Sequence, residues 1–164
     1  MKSILQKNVL STVDVDTFDS EVRYKNSRFD FAGECKDGSL FILEVKSVPL
    51  KCDDKTAFFP DGYRKKKGDP ISPRALKHVN ELKSLKLENN DMRCILCFVI
   101  PRDDITEFKI NEKDEIYRKA VQEAWMCGVE IVGVCVKWTK SRAKLVTCDV
   151  PIMLYDSYGP IINN

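Results

Sequence analysis

The spacing of apolar residues changes several times along the chain, and each change marks a new predicted element. At the start, Ile4, Leu5, Val9 and Leu10 gather on one side of a helix over residues 3–10. Residues 11–20 are polar and rich in aspartate, and they read as a connection. Three runs with strand-like composition follow closely, at 21–24 (EVRY), 27–32 (SRFDFA) and 40–48 (LFILEVKSV). Lys25-Asn26 separates the first two and Lys36-Asp37-Gly38-Ser39 the last two. Asp-Gly supplies the positive φ angles that a tight hairpin needs, so the three runs predict an antiparallel meander.

Residues 49–71 break the pattern with Pro49, Pro60, Pro70, Gly62 and Gly68, and they predict a loop. Ser72 as N-cap and Pro73 at the first helical position then open a helix. Leu76, Val79, Leu82 and either Lys83 or Leu85 follow at helical spacing as far as Asn89-Asn90. Residues 93–100 (RCILCFVI) form a buried strand and 107–110 a short edge strand. A helix over 112–127 turns Ile116, Ala120, Val121 and Ala124 inward and stops at Gly128. Strands over 129–138 and 143–148 complete the chain. The resulting order, α-β-β-β-α-β-α-β, predicts one α/β domain over 1–164 with a mixed central sheet flanked by helices. Residues 1–20 supply its N-terminal helix and connection, and 49–71 its basic loop. No glycine-rich phosphate loop or dinucleotide fingerprint is present, which argues against nucleotide enzymes of those classes.

The 164 residues carry 27 basic and 25 acidic side chains, a net charge of +2. That near-neutral total is unevenly spread. Residues 62–86 hold eight Lys or Arg against Asp69 and Glu81, a local excess of +6. A basic patch of this kind suits a polyanion, although charge alone favours a solvated loop and helix face. No apolar run approaches the length of a membrane span, and the start is too polar for a signal peptide. Seven cysteines without such a signal point to free thiols in a reducing intracellular compartment, cytoplasm or nucleus.

Glu44 and Lys46 fall on one face of the third run, with Ile42 and Leu40 behind them, and the hairpin returns Asp30 to the same region. Two converging carboxylates repel, and a divalent cation relieves that repulsion. Hard oxygen ligands suit Mg²⁺ or Mn²⁺, which polarise phosphate oxygens and acidify bound water. A structural salt bridge at a strand end accounts for the same three residues without any catalysis. Other clusters carry less. Cys94 and Cys97 sit three apart in an apolar strand and so point to opposite faces, which argues against zinc. Cys127 and Cys135 read as core residues, and Trp125 and Trp138 as packing. Phe58 also reads as core, whereas Tyr63 in the basic loop is the better base-stacking candidate.

Several segments together resemble the sugar fermentation stimulation protein (SfsA) family: Glu21 through Phe31, Leu43 through Leu50, Phe59-Pro60-Asp61, Arg74 through Leu82, and Gly128 through Ile131. They occur in family order over most of the chain. The resemblance implies a restriction-endonuclease-like PD-(D/E)XK core and a metal-dependent nuclease hydrolysing phosphodiester bonds in DNA or RNA. It places Asp30 and Glu44, with the Val45 backbone carbonyl, at the metal, Glu21 and Asp61 as weaker candidates, and Lys46 as the catalytic lysine. The expected nucleic-acid contacts are Arg28, Tyr63, Arg64, Lys65, Lys66, Lys67, Arg74, Lys77 and His78. The chain departs from the family pattern at Lys25 and Ala75, where glycines are usual. Only about twenty residues precede Glu21, so the OB-like barrel usual before this part is expected to be absent. The longer 62–71 segment, with its tetrabasic run, then stands in as a clamp. The alternative is a non-catalytic nucleic-acid-binding or regulatory protein that keeps the fold. Nucleic acid is the expected partner, a membrane is not, and a homodimer is left open.

Overall fold

The computed structural model describes residues 1–8, 10, 13–25, 27–139 and 142–154. Helix α1 (Lys2–Gln6) buries Ile4 and Leu5 and stops short of the predicted residue 10. Asn8, at φ 47°, turns the chain, and its side-chain amide bonds the backbone N–H and carbonyl of Val15. Leu10 is buried beyond the helix, and Val9 lies outside the described residues.

Strand β1 (Val15–Tyr24) begins well before the predicted Glu21. It forms a sheet edge along which Val15 alone is fully buried, so solvent bathes most of both faces and no alternation marks it in the sequence. It pairs antiparallel with β2 (Ser27–Cys35), and β2 with β3 (Leu40–Ser47), as the meander predicts. Asn26, in the first turn, lies outside the described residues. Gly33 lets β1 pass close, because a Cβ there would stand 2.0 Å from the Thr17 carbonyl oxygen.

The predicted loop 49–71 contains a strand, β4 (Thr56–Phe59). Four residues with three of them buried show no readable period, and the polar run 51–55 hides the start. Next come α2 (Pro73–Glu88), β5 (Arg93–Ile100), β6 (Glu107–Ile110), α3 (Glu115–Met126), β7 (Glu130–Trp138), β8 (Ala143–Thr147) and β9 (Ile152–Met153). A six-stranded sheet runs β1-β2-β3-β5-β7-β8, with β3, β5 and β7 parallel and joined by the α2 and α3 crossovers. A second, parallel sheet runs β4-β6-β9, so β6 is a central strand there rather than an edge.

Ser72 caps α2 by accepting the Ala75 N–H, with Pro73 in the first turn as predicted. The buried stripe is Ala75, His78, Val79, Leu82 and Leu85, while Leu76 is half-buried. Asp114 caps α3, whose inward stripe is Tyr117, Ala120, Val121 and Ala124. Ile116 is 41% exposed, because it stands one position ahead of that stripe. One apolar core lies under α2 and α3, and a second lies on the other sheet face under α1. Cys94 enters the first and Cys97 the second, which confirms that the pair straddles the sheet. Burial pushes the Cys94 thiol up to about 11 and the Cys97 thiol higher still, so neither is poised for chemistry. Cys135 is buried as expected, and Cys127 is only half-buried. The two tryptophans are not core residues: Trp125 is partly exposed and Trp138 is 64% exposed.

Candidate metal and phosphodiester site

The β2–β3 ladder ends at the Phe31–Leu43 rung. Beyond it β2 changes face. Phe31 belongs to the core under α1, whereas Phe29 packs under α2 with its ring 6.1 Å from that of His78. Regular alternation would put residues two apart on the same face, so the kink lies at Asp30. On β1 the same rung falls at Glu21, between the Ser20–Phe31 and Val22–Phe29 pairs, and Glu21 there takes φ 58°. Both strands of the hairpin thus bend at one level, and a gap opens between β2 and β3.

Asp30 fills part of that gap. Its Oδ2 accepts the Val45 N–H at 2.7 Å, replacing a ladder bond that β2 no longer supplies. The Val45 carbonyl, on the same side of the strand, lies beyond the last β2–β3 rung. Two residues of alternation place Glu44 and Lys46 on the α2 side of β3. Glu44 is 3% exposed, and its Oε1 is held twice, by Lys46 Nζ at 2.6 Å and by His78 Nδ1. Its Oε2 is buried with no hydrogen-bond partner. Lys46 Nζ also stands 3.3 Å from His78 Nδ1.

The two carboxylates respond to this arrangement in opposite directions. Burial pushes the Asp30 carboxyl up, Glu44 adds to that, and the Val45 N–H, Lys46 and His78 only partly offset it. Burial also pushes Glu44 up, but the hydrogen bonds from His78 and Lys46 outweigh it and leave Glu44 below the usual carboxylate range. A buried carboxylate oxygen without a donor is costly unless something cationic meets it. Asp30, Glu44 Oε2 and the Val45 carbonyl are hard oxygen donors, the kind that suits a hard divalent cation. Among the described residues no third His, Cys, Asp or Glu side chain joins them in a metal-binding cluster.

The remaining sequence candidates are placed as follows. Glu21 is exposed and ion-paired to the exposed Arg28 at 3.7 Å, and Asp61 is exposed beyond Pro60. Tyr63 is 95% exposed, and Lys65, Lys66 and Lys67 are exposed beside it. Arg64 donates to the Lys113 carbonyl, and Ile71 N–H to Asp114 Oδ2 at 2.7 Å, so the loop is tied to the start of α3. Arg74 and Lys77 are exposed on the first turns of α2, Arg74 one turn before His78. His78 itself is 5% exposed and faces Glu44. The helical stripe Ala75-His78-Val79-Leu82 could have signalled its burial, but nothing in the sequence says that its partner is Glu44. Phe58, read as core, is half-buried. Tyr117 is a further buried group that sequence reading missed. Its hydroxyl has no hydrogen-bond partner, and burial first, then Glu44 and Asp114, push its pKa well up.

The fold is mixed α/β and restriction-endonuclease-like, and comparisons with known proteins agree. The structure of Pyrococcus furiosus SfsA in complex with Ca²⁺ superposes with a TM-score of 0.75 over 92% of this chain and 61% of that one, at 24% identity. A sugar fermentation stimulation protein homolog from Clostridium acetobutylicum is 31% identical over 133 residues, covering 80% of this chain and 53% of the homolog. One from Carboxydothermus hydrogenoformans is 33% identical over 133 residues, covering 79% of this chain and 52% of the homolog. The chain therefore spans about half the length of these curated relatives. The family described as the sugar fermentation stimulation protein RE domain matches residues 1–142, and the chain belongs to that family.

Proposed function

We propose that this chain is a divalent-metal-dependent nuclease that hydrolyses phosphodiester bonds in DNA or RNA. The observation that carries this is the asymmetry of Glu44: one oxygen is fixed by Lys46 and His78, and the other is buried and unpartnered beside Asp30. A structural salt bridge would engage the carboxylate without leaving a buried oxygen bare. The Ca²⁺ bound by the Pyrococcus furiosus relative is in keeping with a divalent ion here.

Asp30, Glu44 Oε2 and the Val45 carbonyl would hold Mg²⁺ or Mn²⁺, which when bound supplies Lewis-acid polarisation of the phosphate and a more acidic water. Asp30 keeps its side chain aimed into the gap through the Val45 N–H. His78 holds Glu44 in one orientation, so that the free oxygen does not rotate away. Lys46 brings an ammonium within 2.6 Å of Glu44, where it stabilises negative charge building on the phosphate. Arg28, Tyr63, Arg64, Lys65, Lys66, Lys67, Arg74 and Lys77 line the approach with exposed positive charge and one aromatic ring. The cations bind the phosphate backbone and Tyr63 stacks on a base, away from the reacting atoms.

The deciding experiment incubates the protein with labelled single- and double-stranded DNA and RNA in Mg²⁺, in Mn²⁺ or in chelator. Cleavage with metal that stops in chelator and in Asp30→Ala supports the reading. Binding without cleavage under every condition would leave a nucleic-acid-binding protein that keeps the fold.

A further inference from the structure

The far end of the central sheet carries a feature that the proposed site does not use. Strand β7 outruns its neighbours: its pairing with β5 ends at Cys135, yet it continues to Trp138 and turns back as β8. Lys137, Trp138, Ala143 and Lys144, the two rungs nearest the turn, are all exposed, so neither face of the hairpin end is covered. Thr139 and Arg142 close the turn, with the Thr139 N–H 2.9 Å from the Arg142 carbonyl. Residues 137–144 contain no acidic residue.

Two placements there are unfavourable for a hairpin that meets only water. Lys137 stands directly opposite Lys144, and like charges on one rung repel. Trp138 leaves 64% of its surface in water, although indole is among the most rewarding side chains to bury. Lys137 finds Asp103, but among the described residues Arg142 and Lys144 have no ion pair. An exposed aromatic flanked by unpaired cations matches a polyanion that also offers flat apolar faces, which is the chemistry of an unpaired stretch of nucleic acid. A duplex hides its base faces and an acidic peptide has none.

The location agrees. β3 and β7 run parallel with β5 between them, so β7 lies about 10 Å from β3. Glu44 is level with Leu96 and Leu96 with Ile131, and Trp138 stands seven residues further on, about 23 Å along the strand. The hairpin therefore overhangs the end of the sheet at which β3 stops. Alternation from Val132, Val134 and Val136 puts Trp138 on the α1 face, so a single strand leaving the Glu44 site on the α2 face reaches it by passing over that sheet end.

We propose that the β7–β8 hairpin is a second nucleic-acid contact, in which Trp138 stacks on an unpaired base and Arg142 and Lys144 take the flanking phosphates. This rests on the nuclease reading for its ligand, but it concerns binding alone. The test uses metal-free protein carrying Trp125→Phe, which leaves Trp138 as the sole tryptophan. A 16-residue oligothymidylate is titrated in while Trp138 emission is followed, and the anisotropy of a labelled copy gives affinity in parallel. The expected result is quenching of Trp138 on binding. Trp138→Ala should bind about tenfold or more weakly, and Trp138→Phe should recover most of that loss. Binding with unchanged emission and full affinity in Trp138→Ala would overturn the hairpin contact and leave the nuclease reading standing. Quenching by a blunt duplex alone would overturn the single-strand assignment. Absence of any oligonucleotide binding would overturn both, whereas quenching without cleavage in any metal would overturn only the nuclease reading.

Discussion

The buried cluster of Asp30, Glu44, Lys46 and His78 and the exposed basic segment from Tyr63 to Lys67 occupy opposite extremes of one surface. In the cluster Glu44 Oε1 is held twice, Glu44 Oε2 is buried without a partner, and the geometry is set by packing between β3 and α2. In the basic segment the side chains stand in water, and only Arg64 is tied down. Electrostatics therefore differ in kind. Inside, a charge is strongly coupled to its partners and removing one strands another. Outside, each charge is screened and contributes in proportion to number rather than position. On the proposed reading, chemistry belongs with the first arrangement and affinity with the second.

The largest break in that contrast comes from Glu44→Gln. It keeps the shape but removes the charge that Lys46 and His78 hold. Cleavage should fall to background, while anisotropy of a labelled oligonucleotide changes by less than about threefold, because backbone contacts dominate binding. Equal losses in both measurements would merge the two regions into one. Glu44→Ala is a poorer probe, since stranding the buried Lys46 is expected to cost about 3–5 kcal/mol of stability.

Lys46→Met comes next. The aliphatic stem stays packed and the ammonium is lost, so single-turnover cleavage should drop by about 10²–10³. Binding of Mn²⁺, followed by calorimetry, should persist. A mutant that binds substrate poorly but cleaves it at the parent rate would reassign Lys46 to the affinity side.

Replacing Lys65, Lys66 and Lys67 by alanine sharpens the other half. Affinity should weaken alike for all sequences. The slope of log affinity against log salt should shrink by about 2–3, as expected when three phosphate contacts are lost. The cleavage rate of saturated substrate should not move. An unchanged slope would make the run an ordinary solvated loop.

The smallest effect is on stability. The Asp30 carboxyl is raised, chiefly by burial, so the metal-free fold prefers it protonated and carries a penalty at neutral pH. Asp30→Asn should therefore stabilise the metal-free protein, by up to about 1 kcal/mol for a half-buried group. The gain should be full above the raised folded pKa and should vanish below about pH 4, where Asp30 is protonated in both states. Glu44 has the opposite sign: its lowered pKa contributes stability above the ordinary carboxylate value that is lost as pH falls through the folded one. Thermal melts of parent and Asp30→Asn between pH 4 and 7, in chelator, measure the difference directly.

That opposition is where sequence reasoning reached its limit. Spacing alone treats Asp30 and Glu44 as a repelling pair, and it places them correctly at one hairpin end. It does not show that His78, thirty-four residues away, absorbs the charge of one and leaves the repulsion on the other. Long, strongly periodic elements were legible: the meander, α2 with its Ser72 cap, the buried β5, and β7. Elements without a period were not. β1 is a solvated edge, β4 is four residues long, and β9 is two. Trp138 was misread for a related reason, since composition says that tryptophan packs and only the overhang of β7 says that here most of its surface is left in water.

The parting of β2 from β3 also gives the molecule a built-in gauge of its own occupancy. In an ordinary strand an amide is shielded from solvent exchange by the neighbouring backbone, and it opens only when the sheet does. The Val45 amide is shielded instead by one carboxylate, that of Asp30, so its protection follows the freedom of a single side chain. An ion that immobilises Asp30 should slow deuterium uptake at Val45 while Leu43, inside the ladder, exchanges as before. Filling of the site is then readable at one backbone position, in the absence of substrate and turnover.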